Sequence, residues 1–460
     1  MSRAASVVMK FGGTSVADAQ AMTRVIDIVR SECKSQPAGG RSPVVVVSAL
    51  SKVTDGLIRA AGLARAGDVE KSSALIGELL ERHVGIARTL TTGDRADQLV
   101  NKLTTQFAEL GGAVAAMASA KQVTPANHDL IVAAGELASS RIVAAAFEEQ
   151  GLAATWVDAR EVLVTDAEHM VAVPDMEATC RNANRIVAPI VARQQIPVLG
   201  GFIASTSNGV TTTLGRGGSD YSAAIFGACL EVVEIQIWTD VDGMLTADPR
   251  VVPAPQVVPH LSFGEASELA YFGAKVLHPA TILPAVSKNI PVRILNSRQP
   301  SNPGTLITAE ARRDGHLAAL ACKRDVTVID ITSTRMFMAF GFLRRLFEVF
   351  ERFKTAVDVV TTSEVSVSVT VDDRRKLEQI VSALSEFAEV DCEPEMAIVS
   401  VVGDRLHDDP GVFARAINAL DKIPLRLVSQ AASRRTFTFV LRDAEVPEAM
   451  TRLHNAFFQQ

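Results

Sequence analysis

Thr213-Leu214-Gly215-Arg216-Gly217-Gly218-Ser219-Asp220 is a glycine-rich turn that leads into the helical pattern Ser222–Leu230. About 200 residues earlier stands a second such turn, Lys10-Phe11-Gly12-Gly13-Thr14-Ser15, between the strand-like run Ser6–Lys10 and the helical pattern Asp18–Cys33. Glycine lets backbone N–H groups approach an anion, and a helix start adds the positive end of its dipole. One such turn says little. Two, one with a lysine and the other with an arginine and an aspartate, read as a cradle for a reacting polyphosphate.

Working outward, Val44–Ser48, Ala153–Val157, Ile196–Gly200 and Glu234–Thr239 are further short strand candidates. Several are continuous apolar runs of the kind buried on both faces of a parallel sheet. Alanine-rich helical stretches alternate with them through residue 305. Residues 55–120 are mostly helical and are expected to layer over one sheet edge. The pattern predicts a three-layer αβα sandwich with a mostly parallel sheet and right-handed crossovers. Ligands of such sheets bind beyond the carboxyl ends of the strands, where both glycine turns lie.

Pro300-Ser301-Asn302-Pro303-Gly304 breaks this texture, and a repeat follows. Val326–Ile331 aligns with Met396–Val401, Gly341-Phe342-Leu343 with Gly411-Val412-Phe413, and Ser366–Val369 with Thr436–Phe439. The offset is about 70 residues, and each copy reads as the ferredoxin-like βαββαβ pattern. The expected domains are 1–305, then modules 316–390 and 391–460, with 316–324 able to supply a shared first strand. As a structural platform or a pair of small-molecule sensors, the repeat weighs evenly.

The 460 residues are 48% hydrophobic and 21% charged, with a net charge of −6, which suits a globular protein and no basic face for nucleic acid or a membrane surface. No apolar stretch is expected to approach the ~20 residues of a membrane span, and the N-terminus lacks a leader core, so a cytoplasmic protein is expected. Cys33, Cys180, Cys229, Cys322 and Cys392 are odd in number and widely spaced, so free buried thiols are expected rather than disulfides or zinc. The eight histidines have no metal-ligand spacing, and His278 reads as structural.

Lys10 is the first candidate for neutralising phosphate charge, and Thr14 and Ser15 are expected to cap the following helix. Asp220 reads as a helix-start carboxylate that organises the transferring group, and Arg216 as a fork for a carboxylate or phosphate. Trp238-Thr239-Asp240-Val241-Asp242-Gly243 and Asp248-Pro249-Arg250 form a third element, read either as turn-forming aspartates or as Asp240 on the nucleotide and Arg250 on its phosphates. There is no GxxxxGK[ST], no dinucleotide GxGxxG after a strand, and no protein-kinase signature. Phosphoryl transfer on a different α/β scaffold is what remains.

Taken together, Lys10–Ser15, Thr211–Asp220, Trp238–Gly243, Asp248–Arg250 and Phe272–Pro279 resemble the amino-acid kinase family, and within it the aspartate kinases. The C-terminal repeat is similar to their paired ACT domains, and Val357–Val367 is similar to the monofunctional, lysine-inhibited class. The resemblance implies transfer of a phosphoryl group from Mg-ATP to the side-chain carboxylate of L-aspartate, the entry to lysine, threonine and methionine synthesis. It implies catalytic roles for Lys10 and Asp220. It places Ser48, Thr54, Glu136 and Arg216 around aspartate, with Glu136 on the α-ammonium. It places Lys10, Phe11, Gly12, Gly13, Thr239, Asp240, Leu245, Arg250, Lys275 and Val276 around ATP. Leu245 stands where close relatives often carry a tyrosine. For L-lysine as effector it implies Met336, Ala339, Gly341, Phe342, Leu343, Val357, Asp358, Ser363 and Glu364, while Phe337-Met338-Ala339-Phe340 departs from the polar run of lysine-sensing relatives. No protein-held metal is expected, and a homodimer or homotetramer through the ACT modules is. The competing readings are a glutamate or acetylglutamate kinase and a catalytically silent amino-acid sensor on the same scaffold.

Overall fold

The structure is a computed structural model that describes residues 6–35, 42–273, 279–313, 315–333, 340–430 and 434–459. The chain forms two compact units, Met1–Met244 with Leu277–Glu310, and Leu245–Val276 with Ala311–Gln460.

The first unit opens with β1 (Val7–Phe11), α1 (Ala19–Ser35) and β2 (Val44–Val47). Four helices follow: α2 (Val53–Ala66), α3 (Val69–Leu90), α4 (Gly93–Ala120) and α5 (Pro125–Glu149). Then come β3 (Ala154–Val157), β4 (Val164–Thr165), α6 (Met176–Asn182), α7 (Ala188–Ala192), β5 (Ile196–Gly200), β6 (Ile203–Thr206), β7 (Thr211–Thr213), α8 (Gly218–Leu230) and β8 (Glu234–Thr239). The chain next contributes β9 (His260–Ser262) and α9 (Phe263–Tyr271) to the second unit. It returns to the first for α10 (Leu283–Ser287), β10 (Val292–Asn296) and β11 (Thr305–Thr308).

Within the first unit the large sheet has the order β3-β5-β2-β1-β8-β10-β11. Neighbours are parallel except β10 and β11. The all-valine β2 is buried throughout, as a strand covered on both faces must be. The order reverses at β1, so β1 marks the switch point where such sheets open a crevice. A small sheet, β4-β6-β7, lies apart from the large one. Leu57, Leu79, Leu103, Phe107 and Ile131 join α2 to α5 in a single core with the sheet residues Met9 and Val45.

Two sequence expectations are corrected here. Helix α5 is long and apolar enough to cross a membrane by length and composition. It is apolar on every side because it is buried on every side, from Ile131 through Phe147. Cys180 and Cys229 form a disulfide that ties α6 to α8 across 49 residues of sequence. Linear spacing carries no signal for this, because the crossover topology creates the proximity. Cys33, Cys322 and Cys392 are free and only half-buried.

The second unit continues with β12 (Leu317–Thr332), α11 (Phe342–Arg352), β13 (Val360–Thr362), β14 (Ser366–Val371), α12 (Leu377–Ser385) and β15 (Glu389–Gly403). It ends with α13 (Pro410–Ala419), β16 (Leu427–Gln430), β17 (Thr436–Arg442) and α14 (Val446–Phe458). All six C-terminal strands form one sheet, β13-β14-β12-β15-β17-β16. β12 and β15 run antiparallel over most of their length, with register breaks near Lys323–Val328. At those breaks Asp325 and Glu395 take left-handed φ of 60° and 59°. Each long strand is thereby bent into two halves that serve two modules. Leu317–Lys323 pairs with the Ile398–Gly403 half of β15, and Thr332 with Glu389 at the other end. One module is filled by Leu346, Phe350, Val367 and Ile380. The other is filled by Val412, Phe437, Phe439 and Leu453, together with Ala247 and Val252 from the inserted segment.

Candidate active site

Four parallel strands, β5, β2, β1 and β8, end side by side, and their next residues are stitched together. Ser48 N–H donates to the Phe11 carbonyl at 3.0 Å, Ser51 N–H to the Gly13 carbonyl at 3.1 Å, Gly12 N–H to the Trp238 carbonyl at 3.0 Å and Gly201 N–H to the Val47 carbonyl at 2.8 Å. A cleft of about 350 Å³ opens here, lined by Lys10, Gly13, Ser48, Lys52, Thr54, Glu136, Phe202, Gly215, Gly217 and Asp220 among others. The close stitching explains Gly13, since a Cβ there would sit 3.1 Å from the Ala49 carbonyl oxygen. Gly217 has a left-handed φ of 72° at the N-cap of α8, which an L side chain resists.

Lys10 and Asp220 meet in this cleft, with Nζ 2.6 Å from Oδ1 and both side chains largely buried. The two glycine turns, remote in sequence, therefore converge through one ion pair. Glu136 is 3% exposed. One of its carboxylate oxygens accepts from Ala49 N–H at 3.1 Å, and the other is buried without a partner among the described residues. Burial pushes its carboxyl up to about 8, against the pull of the Ala49 bond and the Lys10 charge. Glu136 is thus a buried acid inside the cleft.

Ser48 and Thr54 line the cleft as expected. Arg216 is exposed on the turn between Gly215 and Gly217. Thr239 and Asp240 lie at the carboxyl end of β8, hydrogen-bonded to each other at 3.3 Å. The helix-cap expectation is corrected, and the structure places the remaining nucleotide candidates as follows. The Phe11 side chain is fully buried beside Trp238, and its carbonyl accepts from Ser48 N–H. The Gly12 N–H is likewise taken by Trp238. Asp18, not Thr14 or Ser15, caps α1 by accepting from Ala21 N–H, and Ser15 instead bonds Ser297 at 2.8 Å. Leu245 and Arg250 belong to the second unit, where Arg250 is exposed and pairs with Asp248. Lys275 and Val276 lie outside the described residues.

Sequence reasoning missed Asp129. It is fully buried on α5 and accepts from the Thr213 hydroxyl at 2.6 Å, His169 Nδ1 at 2.8 Å and Met170 N–H at 3.0 Å. It thereby anchors the end of β7 and the segment packed under Gly215, and so positions the second glycine turn. A larger hollow of about 640 Å³ runs along α4 and α5. It holds neither glycine turn nor any of the expected site residues, so the smaller cleft is the candidate site. Among the described residues no cluster of acids, histidines and cysteines fits a protein-held metal.

The expected effector residues lie in the first module of the second unit. Gly341 caps α11 with φ 85°, followed by Phe342 and Leu343. Val357 and Asp358 precede β13, and Ser363 and Glu364 lie in the β13–β14 turn. Met336 and Ala339 lie outside the described residues. Asp358 accepts at one oxygen from the Tyr271 hydroxyl and from Lys323 Nζ, each at 2.7 Å.

The profile described as the amino acid kinase family matches residues 5–296, and one described as an ACT domain matches 399–457. The chain is 36% identical to aspartokinase 1, chloroplastic, of Arabidopsis thaliana, over 98% of this chain and 80% of that protein. It is 35% identical to the lysine-sensitive aspartokinase 3 of Escherichia coli, over 98% and 99%. The structure of E. coli aspartokinase III in complex with aspartate and ADP, in its R-state, is similar with a TM-score of 0.81 and 34% identity, over 98% of this chain and 100% of that one. The same enzyme with lysine and aspartate, in its T-state, gives 0.80 and 33%, over 98% and 99%.

Proposed function

Because the chain belongs to the amino acid kinase family, and within it to the aspartokinases, we propose that the cleft transfers the γ-phosphoryl group of Mg-ATP to the side-chain carboxylate of L-aspartate. The observation that carries the assignment is the Lys10–Asp220 pair, set beside the unpartnered oxygen of Glu136. Glu136 takes the α-ammonium, which supplies the cation its burial calls for. Arg216 takes the α-carboxylate, and Ser48 and Thr54 the remaining polar atoms. The acceptor carboxylate is ionised at neutral pH, so no general base is needed. An acceptor oxygen attacks the γ-phosphorus in line, the bond to the β–γ bridging oxygen breaks, and ADP leaves. Catalysis is then positioning and charge neutralisation. Lys10 meets the charge on the transferring group, and Asp220 orients Lys10. Magnesium arrives with ATP; Asp220 is the carboxylate present to meet it, as suits an ion held by one or two carboxylates and phosphates.

In this reading the C-terminal modules bind L-lysine as a feedback effector, and homodimers or homotetramers form through them. β13 and β16 end the six-stranded sheet and offer edges for pairing. Sedimentation showing only monomer, with and without lysine, would count against that assembly. We place the reaction in the cytoplasm, where ATP is plentiful.

The test is ATP-dependent acyl-phosphate formation trapped with hydroxylamine, with aspartate, glutamate or acetylglutamate as acceptor and with or without millimolar lysine. Product from aspartate that lysine suppresses is expected. Product from glutamate or acetylglutamate alone would move the substrate, and no product from any acid would leave a silent sensor.

A further inference from the structure

Asp358 is already engaged. Its side chain is 2% exposed, and the Lys323 ammonium on β12 sits 2.7 Å from its Oδ1 and 2.7 Å from Oδ2 of Asp372. The Tyr271 hydroxyl donates to the same Asp358 oxygen, and the Lys323 ammonium lies 5.1 Å from the centre of the Tyr271 ring. The second Asp358 oxygen is buried with no partner among the described residues. All four side chains belong to the second unit.

Two carboxylates, a phenol and an aromatic face are the partners a primary ammonium seeks. Here that ammonium comes from the chain itself. A buried carboxylate must be neutralised, and Lys323 does so for Asp358. A second ammonium brought to the same carboxylate would lie within a few ångströms of Lys323, and like charges at that distance repel strongly in a partly buried site. Both cannot occupy the seat. Asp372, 43% exposed, helps to hold Lys323 in that place.

We propose that Asp358 and Tyr271 form an ammonium seat whose resident occupant is Lys323, anchored there by Asp372, and that a primary-ammonium effector binds by displacing it. This rests on the reading of L-lysine as effector. The resident sets the potency: apparent affinity is the intrinsic affinity reduced by the fraction of molecules whose seat is open. The departing Lys323 also leaves Tyr271, the last residue of α9.

The test is calorimetric titration of L-lysine into the full-length protein, as wild type, Lys323→Met and Asp372→Asn. Removing the resident is expected to tighten lysine binding by about tenfold or more. Asp372→Asn, a change at a half-exposed residue, is expected to tighten it by a smaller factor, and it keeps the test alive if Lys323→Met fails to fold. If Lys323 or Asp372 instead grips the effector directly, both variants weaken binding, which overturns the proposal. Wild-type binding matched by both variants overturns displacement alone and leaves lysine as effector. No binding to any of the three removes the effector reading and the proposal with it.

Discussion

Burial favours the protonated form of Glu136, which binding of an α-ammonium must reverse. Its carboxyl titrates near about 8 because burial outweighs the one Ala49 hydrogen bond and the charge of Lys10. The sign follows. A carboxyl raised from 4.5 favours the folded state in its protonated form, so its contribution is complete below pH 4.5 and is lost as pH climbs through about 8. Binding of an α-ammonium needs the opposite, ionised form. KM for aspartate is therefore expected to rise as pH falls from about 8.5 to about 6.5, by up to about tenfold per unit. In Glu136→Gln this slope should vanish, with KM raised by about 30-fold or more at the upper end. A pH-independent KM in the wild type would show that Glu136 is not the ammonium partner. Nothing local in Ala134-Gly135-Glu136-Leu137 announces this role. The residue is singled out only because α5 is enclosed on every face, a property of the packing.

At the scale of elements, the second glycine turn depends on how α8 begins. Gly217 holds its left-handed conformation at the N-cap, and Asp129 pins the end of β7 just upstream. Gly217→Ala is expected to lose roughly 1–2 kcal/mol of stability. It should also lower kcat more than it raises KM for ATP, since it displaces Asp220 rather than removing a contact. Thermal unfolding and steady-state kinetics check both, and a variant with wild-type kcat would contradict the positioning role. The strands of this unit were legible because runs such as Val44-Val45-Val46-Val47 have only one comfortable home, a sheet buried on both sides. The glycine turns were legible for a related reason: few residues tolerate those backbone conformations. Asp129 and the Cys180–Cys229 disulfide were not, since each depends on segments 40 or more residues apart in sequence. The repeat suggested two modules and a shared strand at 316–324, but not that β15 is shared between them as well.

For the whole molecule, that sharing makes the C-terminal unit indivisible. Removing residues 391–460 would strip β15 from β12 and expose the apolar Ala318–Ala321 and Val328–Ile331 segments as an unpaired edge. Such a truncation is expected to aggregate, whereas two independent modules would leave a soluble, cooperatively folding first module. Soluble yield, size exclusion and thermal unfolding distinguish these outcomes. The functional assignment stands or falls on the cleft that joins the two glycine turns. Its most direct measurement is the rate of hydroxylamine-trapped aspartyl phosphate formation by Lys10→Ala against wild type, at saturating ATP and aspartate, with unfolding temperature as the control. Loss of the ammonium that meets the transferring charge is expected to lower the rate by about 10²–10³ while the fold persists. A folded Lys10→Ala variant that still works within about threefold of wild type would contradict phosphoryl transfer at this cleft.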